Sequence, residues 1–394
     1  MDRPTVRLTP RADARRLRHG FPWAYADEIV LDRRTKALAP GSVVRLEDAE
    51  RRPLGTAAFN PASRIAARML DRDPEAAIDR DWLAARLRTA LAHRERLGLA
   101  PWCRLAHAEA DGLPGVVLDL FGEAAVIQPN AAWADRLLPD LADAVREVTG
   151  ARTILKNASG RARGLEGLDD ASEVLLGTLD GPVQVPMNGA LYAADLAGGQ
   201  KTGLFYDQRP NHAFAATLAR GEVLDVFAHV GGFGLAMLRG GAERALCVDS
   251  SVPALALAER GAAASGLADR LETRRADAFE ALTALGEEGR RFEVVVCDPP
   301  AFAPSKPARE AGLRAYERLA RLSAPLVEPG GYLVLCSCSH AVDLAAFRDA
   351  SVRGVGRAGR AGQIVHTGFA GPDHPVHPLL PETGYLKALF LRLP

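Results

Sequence analysis

Cysteine is scarce in this sequence, and what there is forms no framework. The five cysteines (Cys103, Cys247, Cys297, Cys336 and Cys338) are odd in number and include no C-x-x-C pair. That excludes a disulfide scaffold and a zinc ribbon, and no metal site is expected. Long apolar runs are also missing: none approaches the ~18 residues of a membrane-spanning helix. The start of the chain is charged and has no apolar leader-type segment, so a reducing cytoplasm is the expected location. Net charge is absent too. Forty-nine basic side chains cancel forty-nine acidic ones, so global charge points to neither a membrane nor a nucleic acid. Repeats and low-complexity tracts are lacking as well.

What remains is the composition of a globular chain, 48% hydrophobic and 25% charged over 394 residues. At one domain per ~150 residues this length implies two or three domains. Charge is unevenly spread. The first twenty residues hold Arg3, Arg7, Arg11, Arg15, Arg16 and Arg18 against Asp2 and Asp13. Such a start is either a solvated face or an arm that contacts phosphate.

Three zones follow. Residues 1–75 alternate short apolar runs (Val43, Val44 and Leu46; Leu54 to Phe59; Ile65 to Leu70) with turns, the pattern of a small β module. Residues 76–198 are of mixed α/β character. They open on a helix whose apolar positions Trp82, Leu83, Leu87 and Leu91 keep helical spacing. Residues 199–394 alternate apolar strands with helices. Strands are predicted at Val223–Phe227, Ala245–Asp249, Leu271–Arg275, Phe292–Asp298 and Tyr332–Cys336, with a further one at Tyr385–Leu393. Helices are predicted at Ala254–Ala264 and Arg309–Leu326. Near-continuous apolar strands between helices indicate a parallel sheet covered on both faces, a doubly wound α/β domain.

Ligands of such a sheet bind beyond the carboxyl ends of its strands. The first strand carries Asp225 and leads into Val230-Gly231-Gly232-Phe233-Gly234, where paired glycines permit close backbone approach. The second ends in Asp249, 24 residues on, placed to accept from ribose hydroxyls. Asp277 follows the third strand, where an adenine edge would lie. Each alone reads as a turn residue or helix cap, but in this order they point to an adenosine-containing ligand. Gly199-Gln200-Lys201-Thr202 is no P-loop, because Gln200 intervenes and no phosphate cradle precedes it.

The fourth strand ends in Asp298-Pro299-Pro300-Ala301-Phe302, a carboxylate on a loop stiffened by two prolines. The fifth ends in Cys336-Ser337-Cys338-Ser339-His340, a candidate nucleophile beside an acid. Strand alternation puts Cys336 and Cys338 on one face, with Cys338 nearer the open end. Cys297 reads as core. His374 and His377, flanked by prolines, read as turn residues, and neither His229 nor His340 is assigned a catalytic role.

Long motifs in fixed order accompany these strand ends. They are Arg18-His19-Gly20-Phe21-Pro22-Trp23, Glu109-Ala110-Asp111-Gly112-Leu113-Pro114-Gly115, and the run from Gly199 through Phe205-Tyr206-Asp207-Gln208-Arg209. The glycine turn, the Asp-Pro-Pro loop and the Ser-Cys-Ser triplet come next, then Asp373-His374-Pro375 and Gly384-Tyr385-Leu386-Lys387. Over almost its whole length the chain resembles the bacterial PUA-domain-containing, S-adenosylmethionine-dependent methyltransferases that make 5-methylcytidine in 23S ribosomal RNA. Two departures stand out: Ala301 replaces the lysine common after Asp-Pro-Pro, and no cysteine follows a single proline there, as in the one-cysteine branch.

The resemblance implies a PUA-like domain, a central α/β domain and a Rossmann-like methyltransferase domain. It implies S-adenosylmethionine as cofactor and large-subunit ribosomal RNA as substrate. Cys338 would attack cytosine carbon 6, and Asp298 would act at ring N3. Asp225, Gly231, Gly232, Phe233, Asp249 and Asp277 would hold the cofactor. Phe205, Asp207, Gln208 and Arg209 would close over cofactor and base, although Arg209 equally suits a structural ion pair. Two other readings stand beside this one: methylation of a base nitrogen, which needs no cysteine, and a non-catalytic RNA-binding assembly factor. An exposed strand pairing with a second copy would make a homodimer.

Overall fold

The structure, a computed structural model, describes residues 3–198 and 203–394. Gly199, Gln200, Lys201 and Thr202, which open the longest motif above, lie outside the described residues. The chain folds into two compact units. The first takes the chain up to Asp180 and a late segment, Pro372–Pro381. The second takes the segment beginning at Gly181, then Gly203–Gly371 and Glu382–Pro394.

Within the first unit the N-terminal β module is a five-stranded sheet. Its strands are Thr5–Arg7, Trp23–Ala24, Ser42–Glu47, Pro53–Phe59 and Ala67–Asp71, in the spatial order first, third, fourth, fifth, second. Val6, Leu8, Leu17, Val44, Leu46 and Phe59 fill its core. A second five-stranded sheet runs Trp102–His107, Val116–Phe121, Ala124–Pro129, Thr153–Lys156, Glu173–Leu176 in sequence order. The helices Arg80–Arg96 and Leu138–Thr149 bury Leu83, Leu87 and Leu141 against its Leu118, Ile127 and Ile154.

Two motifs that lie far apart in sequence meet here. Trp23 Nε1 donates to Glu109 at 2.8 Å, and Arg68 bridges Glu109 and the buried Glu166, each at 3.0 Å. Although burial opposes ionisation of Glu166, Arg68 with the Ser63 and Asn60 side chains holds its carboxyl below the usual range.

Asp373-His374-Pro375 is likewise anchored in this unit. The guanidinium of Arg94, fully buried, makes two bonds to Asp111 (2.6 and 2.8 Å) and donates to the carbonyls of Arg104 and Asp373, each at 3.0 Å. Asp373 in turn accepts from the Arg104 N–H at 3.1 Å and meets His374 Nδ1 at 3.0 Å. Burial and the neighbouring Arg104 push the His107 imidazole down to about 2, so it stays neutral. Among the described residues, no group of three or more His, Cys, Asp or Glu is placed to hold a metal ion.

The second unit is built on one seven-stranded sheet. In chain order its strands are β1 (Glu222–Val226), β2 (Arg244–Asp249), β3 (Leu271–Arg275), β4 (Phe292–Cys297), β5 (Val327–Ser337), β6 (Gln363–Gly368) and β7 (Lys387–Arg392). The spatial order is β3-β2-β1-β4-β5-β7-β6. Strands β1 to β5 are mutually parallel, while β7 runs antiparallel to both β5 and β6. The sheet is therefore mixed at one edge, not parallel throughout as the strand pattern suggested. Strand β6 left no clear pattern because it is an edge strand whose Ile364 and Val365 are exposed.

Helices α1 (Arg209–Leu218), α2 (Gly232–Gly240) and α3 (Val252–Ala264) cover one face. Helices α4 (Ala278–Glu287), α5 (Arg309–Ser323) and α6 (Leu344–Arg357) cover the other, over Leu224, Val226, Leu246 and Val295. Helix α5 ends three residues before the predicted Leu326, in a 3₁₀ turn containing Pro325. Among the described residues no helix is long and apolar enough to cross a membrane.

If the Arg94 network anchors the late segment, Arg94→Met should cost ~3–5 kcal/mol, because it strands a largely buried Asp111 carboxylate. Arg152→Ala, which removes an exposed pair with Glu123, should cost under ~1 kcal/mol. Denaturant unfolding of the two variants measures the difference, and equal midpoints would contradict the anchoring role.

Candidate active site

Because β1 to β5 are parallel, their carboxyl ends lie along one edge of the sheet. Asp225, Asp249, Asp298 and Cys338 are all found there, on or just past β1, β2, β4 and β5. Asp225 itself is buried beneath the glycine turn, where its carboxylate accepts the Gly234 N–H at 2.8 Å. Burial pushes this carboxyl up to about 7, Asp249 adds to the rise, and the N–H groups of Gly234 and Phe233 oppose it. Asp249 is half-buried. One oxygen accepts the His229 N–H and the other the Ser251 N–H, each at 2.9 Å, so Asp249 ties the β1 and β2 loops together.

Local backbone strain marks the β1 loop. Phe227 and His229 both have left-handed φ values, +64° and +49°, in a chain position where glycine would be at ease. Strain of this kind persists only where the surroundings over-determine it, and it clusters at functional loops. The glycines that follow answer to protein neighbours. Gly231 has φ +78°, a Cβ on Gly232 would meet the His212 ring at 2.8 Å, and one on Gly234 would meet Cys247 Sγ at 2.5 Å. Close packing of α2 thus requires glycine at these positions. Asp277, exposed, caps α4 by accepting the N–H groups of Phe279 and Glu280.

The β4 and β5 loops are locked to each other. Tyr316 on α5 places its hydroxyl 2.8 Å from both Ser337 Oγ and Ser339 Oγ, and Ser339 Oγ accepts the Ala303 N–H at 3.0 Å. This buried hydroxyl chain fixes the residues on either side of Cys338 and joins them to the Asp298-Pro-Pro-Ala-Phe loop. The Cys338 sulfur lies 4.0 Å from the Pro299 carbonyl oxygen. Cys338 is half-exposed, whereas Cys103, Cys247, Cys297 and Cys336 are buried. Burial raises the thiols of Cys247, Cys297 and Cys336 well above their ordinary range.

A third wall comes from the segment before α1. The Phe205 ring rests 5.0 Å from the His229 ring, and Arg209 lies over the Tyr206 ring at 5.0 Å. Asp207 accepts from the Tyr385 hydroxyl at 2.6 Å and Gln208 from Asn211 at 2.6 Å. Yet Asp207 Oδ1 is buried with no hydrogen-bond partner among the described residues. Buried polar atoms left unmatched are expensive, and a polar ligand would relieve them. Tyr316, Tyr385, Lys387 and the two strained loop residues were not singled out as site residues by the sequence patterns. Tyr385 and Lys387 at least fell within a named motif, while Tyr316 gave no signal beyond an aromatic on a helix.

A sheet of this order, with an acid beneath a glycine turn at its centre and a cysteine-bearing loop at its next-but-one strand, is a Rossmann-like methyltransferase fold. A PUA-like domain model matches residues 6–72, and an S-adenosylmethionine-dependent methyltransferase model matches residues 97–384. The chain belongs to this S-adenosylmethionine-dependent methyltransferase family and carries the PUA-like domain in front of it. Among curated relatives, "Ribosomal RNA large subunit methyltransferase I" of Vibrio cholerae is 34% identical, covering 98% of each chain. The Aeromonas salmonicida protein of the same name is 33% identical, over 94% of this chain and 95% of its own. A solved structure described as a SAM-dependent methyltransferase from Streptococcus mutans shares the fold at a TM-score of 0.81 and 18% identity, covering 99% of this chain and 100% of that one. A methyltransferase crystallised with SAH matches equally well, at 0.81 and 18% over the whole of both chains.

Two outcomes test this geometry. Gly234→Ala should cost ~1–3 kcal/mol by forcing its Cβ onto the Cys247 sulfur, and adding Cys247→Ala should restore most of that loss in denaturant unfolding. Asp225 binds a proton more tightly folded, at about 7, than unfolded, near 3.8. Its contribution is therefore complete below the unfolded value and falls as pH rises toward 7. The melting temperature of Asp225→Asn minus that of the wild type should accordingly grow by a few degrees from pH 5 to pH 8. A difference that is flat with pH would show Asp225 to be ionised throughout.

Proposed function

We propose that the protein transfers a methyl group from S-adenosylmethionine to carbon 5 of a cytidine in large-subunit ribosomal RNA, through a covalent bond to Cys338. The observation that carries this reading is the half-exposed Cys338, set against the Pro299 carbonyl on the loop that bears Asp298. The names of the curated relatives supply the substrate class, and the PUA-like domain fits an RNA ligand.

The residues present fit the cofactor. Asp207 Oδ1, buried without a partner among the described residues, suits a polar ligand atom, the half-buried Asp249 keeps lone pairs for ribose hydroxyls, and the strained β1 loop offers backbone to the ligand. When bound, S-adenosylmethionine supplies an electrophilic methyl on a sulfonium. In this reading Asp249 and Asp277 take the nucleoside end. Gly231, Gly232 and Phe233 form the turn beneath, with Asp225 as its support. Phe205, Asp207, Gln208 and Arg209 close the third side.

Cytosine carbon 5 is too poor a nucleophile to take the methyl unaided. Addition of the Cys338 thiolate to carbon 6 forms an S–C bond and pushes the ring electrons toward N3, where Asp298 meets the developing charge with a proton or hydrogen bond. Carbon 5 then forms its bond to the methyl as the sulfonium–methyl bond breaks, with the neutral thioether S-adenosylhomocysteine as the leaving group. Loss of the carbon-5 proton to a base and cleavage of the S–C6 bond return the thiolate and the aromatic ring. The cytosine must be unstacked to reach such a pocket, so a flipped or single-stranded nucleotide is required.

The test is transfer of labelled methyl to unmodified ribosomal RNA, followed by nucleoside separation. Wild type should yield labelled 5-methylcytidine, and Cys338→Ala should lose roughly a thousandfold or more, the scale of removing a covalent nucleophile. An N-methylated nucleoside from a still-active Cys338→Ala would replace this reading with base-nitrogen methylation, for which the Asp-Pro-Pro-Ala-Phe loop also suits.

A further inference from the structure

Lys387 is a buried cation with an unusual address. It begins β7 opposite Ser337 of β5, so it is the cross-strand neighbour of the residue before Cys338. Its ammonium donates to the Ser339 carbonyl at 2.8 Å and to the Val342 carbonyl at 2.7 Å, the turn just after Cys338. Both carbonyls are neutral, and no carboxylate lies within ion-pair distance of Nζ among the described residues. A lysine rarely pays the cost of burial without an anionic partner.

We propose that Lys387 is a positioning residue for the nucleophile: its ammonium pins the turn behind Cys338 and favours the thiolate of that cysteine over the thiol. This inference rests on the cysteine chemistry proposed above for the same site. A helix and a strand thus both hold the residues around the nucleophile, the Tyr316 hydroxyl chain from α5 fixing Ser337 and Ser339 and Lys387 from β7 fixing the turn.

Three ionisable groups among the described residues stand near Cys338 on different elements. Lys387 approaches from β7, Tyr316 from α5, and Asp298 sits next to Pro299, whose carbonyl the sulfur touches. His340 is turned away, its Nδ1 2.9 Å from the Glu382 carbonyl oxygen. Burial brings the Lys387 ammonium down to about 8, and the charges of Cys338 and Asp343 partly restore it. At neutral pH the lysine is therefore still protonated, and its support fades as pH rises through about 8.

The test follows iodoacetamide alkylation of Cys338 by mass spectrometry as a function of pH, with Cys338→Ser confirming the site. Wild type should alkylate with a midpoint below the ~8.5 of an ordinary thiol. Lys387→Met should move that midpoint up by about one unit, roughly a tenfold slower reaction at pH 7, and Lys387→Arg should restore much of it. An unchanged profile in a folded Lys387→Met would overturn the inference, as would a wild-type midpoint at or above ~8.5 should that variant fail to fold. Alkylation needs no RNA, so the outcomes separate. A shifted midpoint with a methylating Cys338→Ala would sink the cysteine mechanism while keeping the Lys387–Cys338 coupling. An unshifted one with an inactive Cys338→Ala would do the reverse.

Discussion

The bond from the Gly234 N–H to the Asp225 carboxylate sets the geometry on which the second unit depends. Asp225 lies near the end of β1, the middle one of the five parallel strands, and through this bond it holds the first turn of α2 directly over that strand. With α2 fixed so low, the intervening residues must turn within a short loop, and Phe227 and His229 adopt left-handed backbone to do so. Asp249 then takes the His229 N–H, which couples the β1 loop to β2. The same closeness explains why the residues at 232 and 234 have no side chain: His212 and Cys247 already occupy the space.

Much of this architecture was written in local pattern. Strands β1, β2 and β4 and the second half of β5 are short apolar runs buried on both faces, and a run of that kind needs no tertiary information to be read, whereas β3 is a polar, partly exposed edge strand. Their order of acids and cysteine along the chain became an order along one sheet edge because parallel strands put every carboxyl end on the same side. The antiparallel edge escaped because β6 buries little and β7 pairs with strands distant in sequence. The hydroxyl chain escaped for a different reason. Tyr316 is 21 residues from Ser337 and 23 from Ser339, and nothing in its helix distinguishes it from an ordinary core aromatic. Lys387 belonged to a recognisable motif, yet its meaning rests on cross-strand register, which a one-residue slip would have changed completely.

The acids themselves divide by burial in a way spacing does not show. Asp225, Asp249 and Asp277 look alike in sequence, each near the carboxyl end of a strand. In the fold Asp225 is sealed under a turn, Asp249 bridges two loops at the surface, and Asp277 caps an exposed helix. Only the last two reach the surface, so the proposed cofactor contacts fall on them, and Asp225 acts through the backbone it holds.

Strand order also explains why the two sets of groups stay apart. From the central β1, the chain builds β2 and β3 outward on one side, then returns to build β4 and β5 on the other. Helices α2 and α3 consequently cover one face and α4 and α5 the other. In doubly wound sheets of this kind, the loops on either side of the point where the winding reverses diverge, and ligands bind between them. The glycine turn and Asp249 lie on the β2 side of that point, while Asp298 and Cys338 lie on the β5 side. Under the proposed reaction, donor and nucleophile must approach the base from different directions, one at carbon 5 and the other at carbon 6. A crevice whose two banks come from opposite halves of the sheet meets that requirement without any movement of the strands.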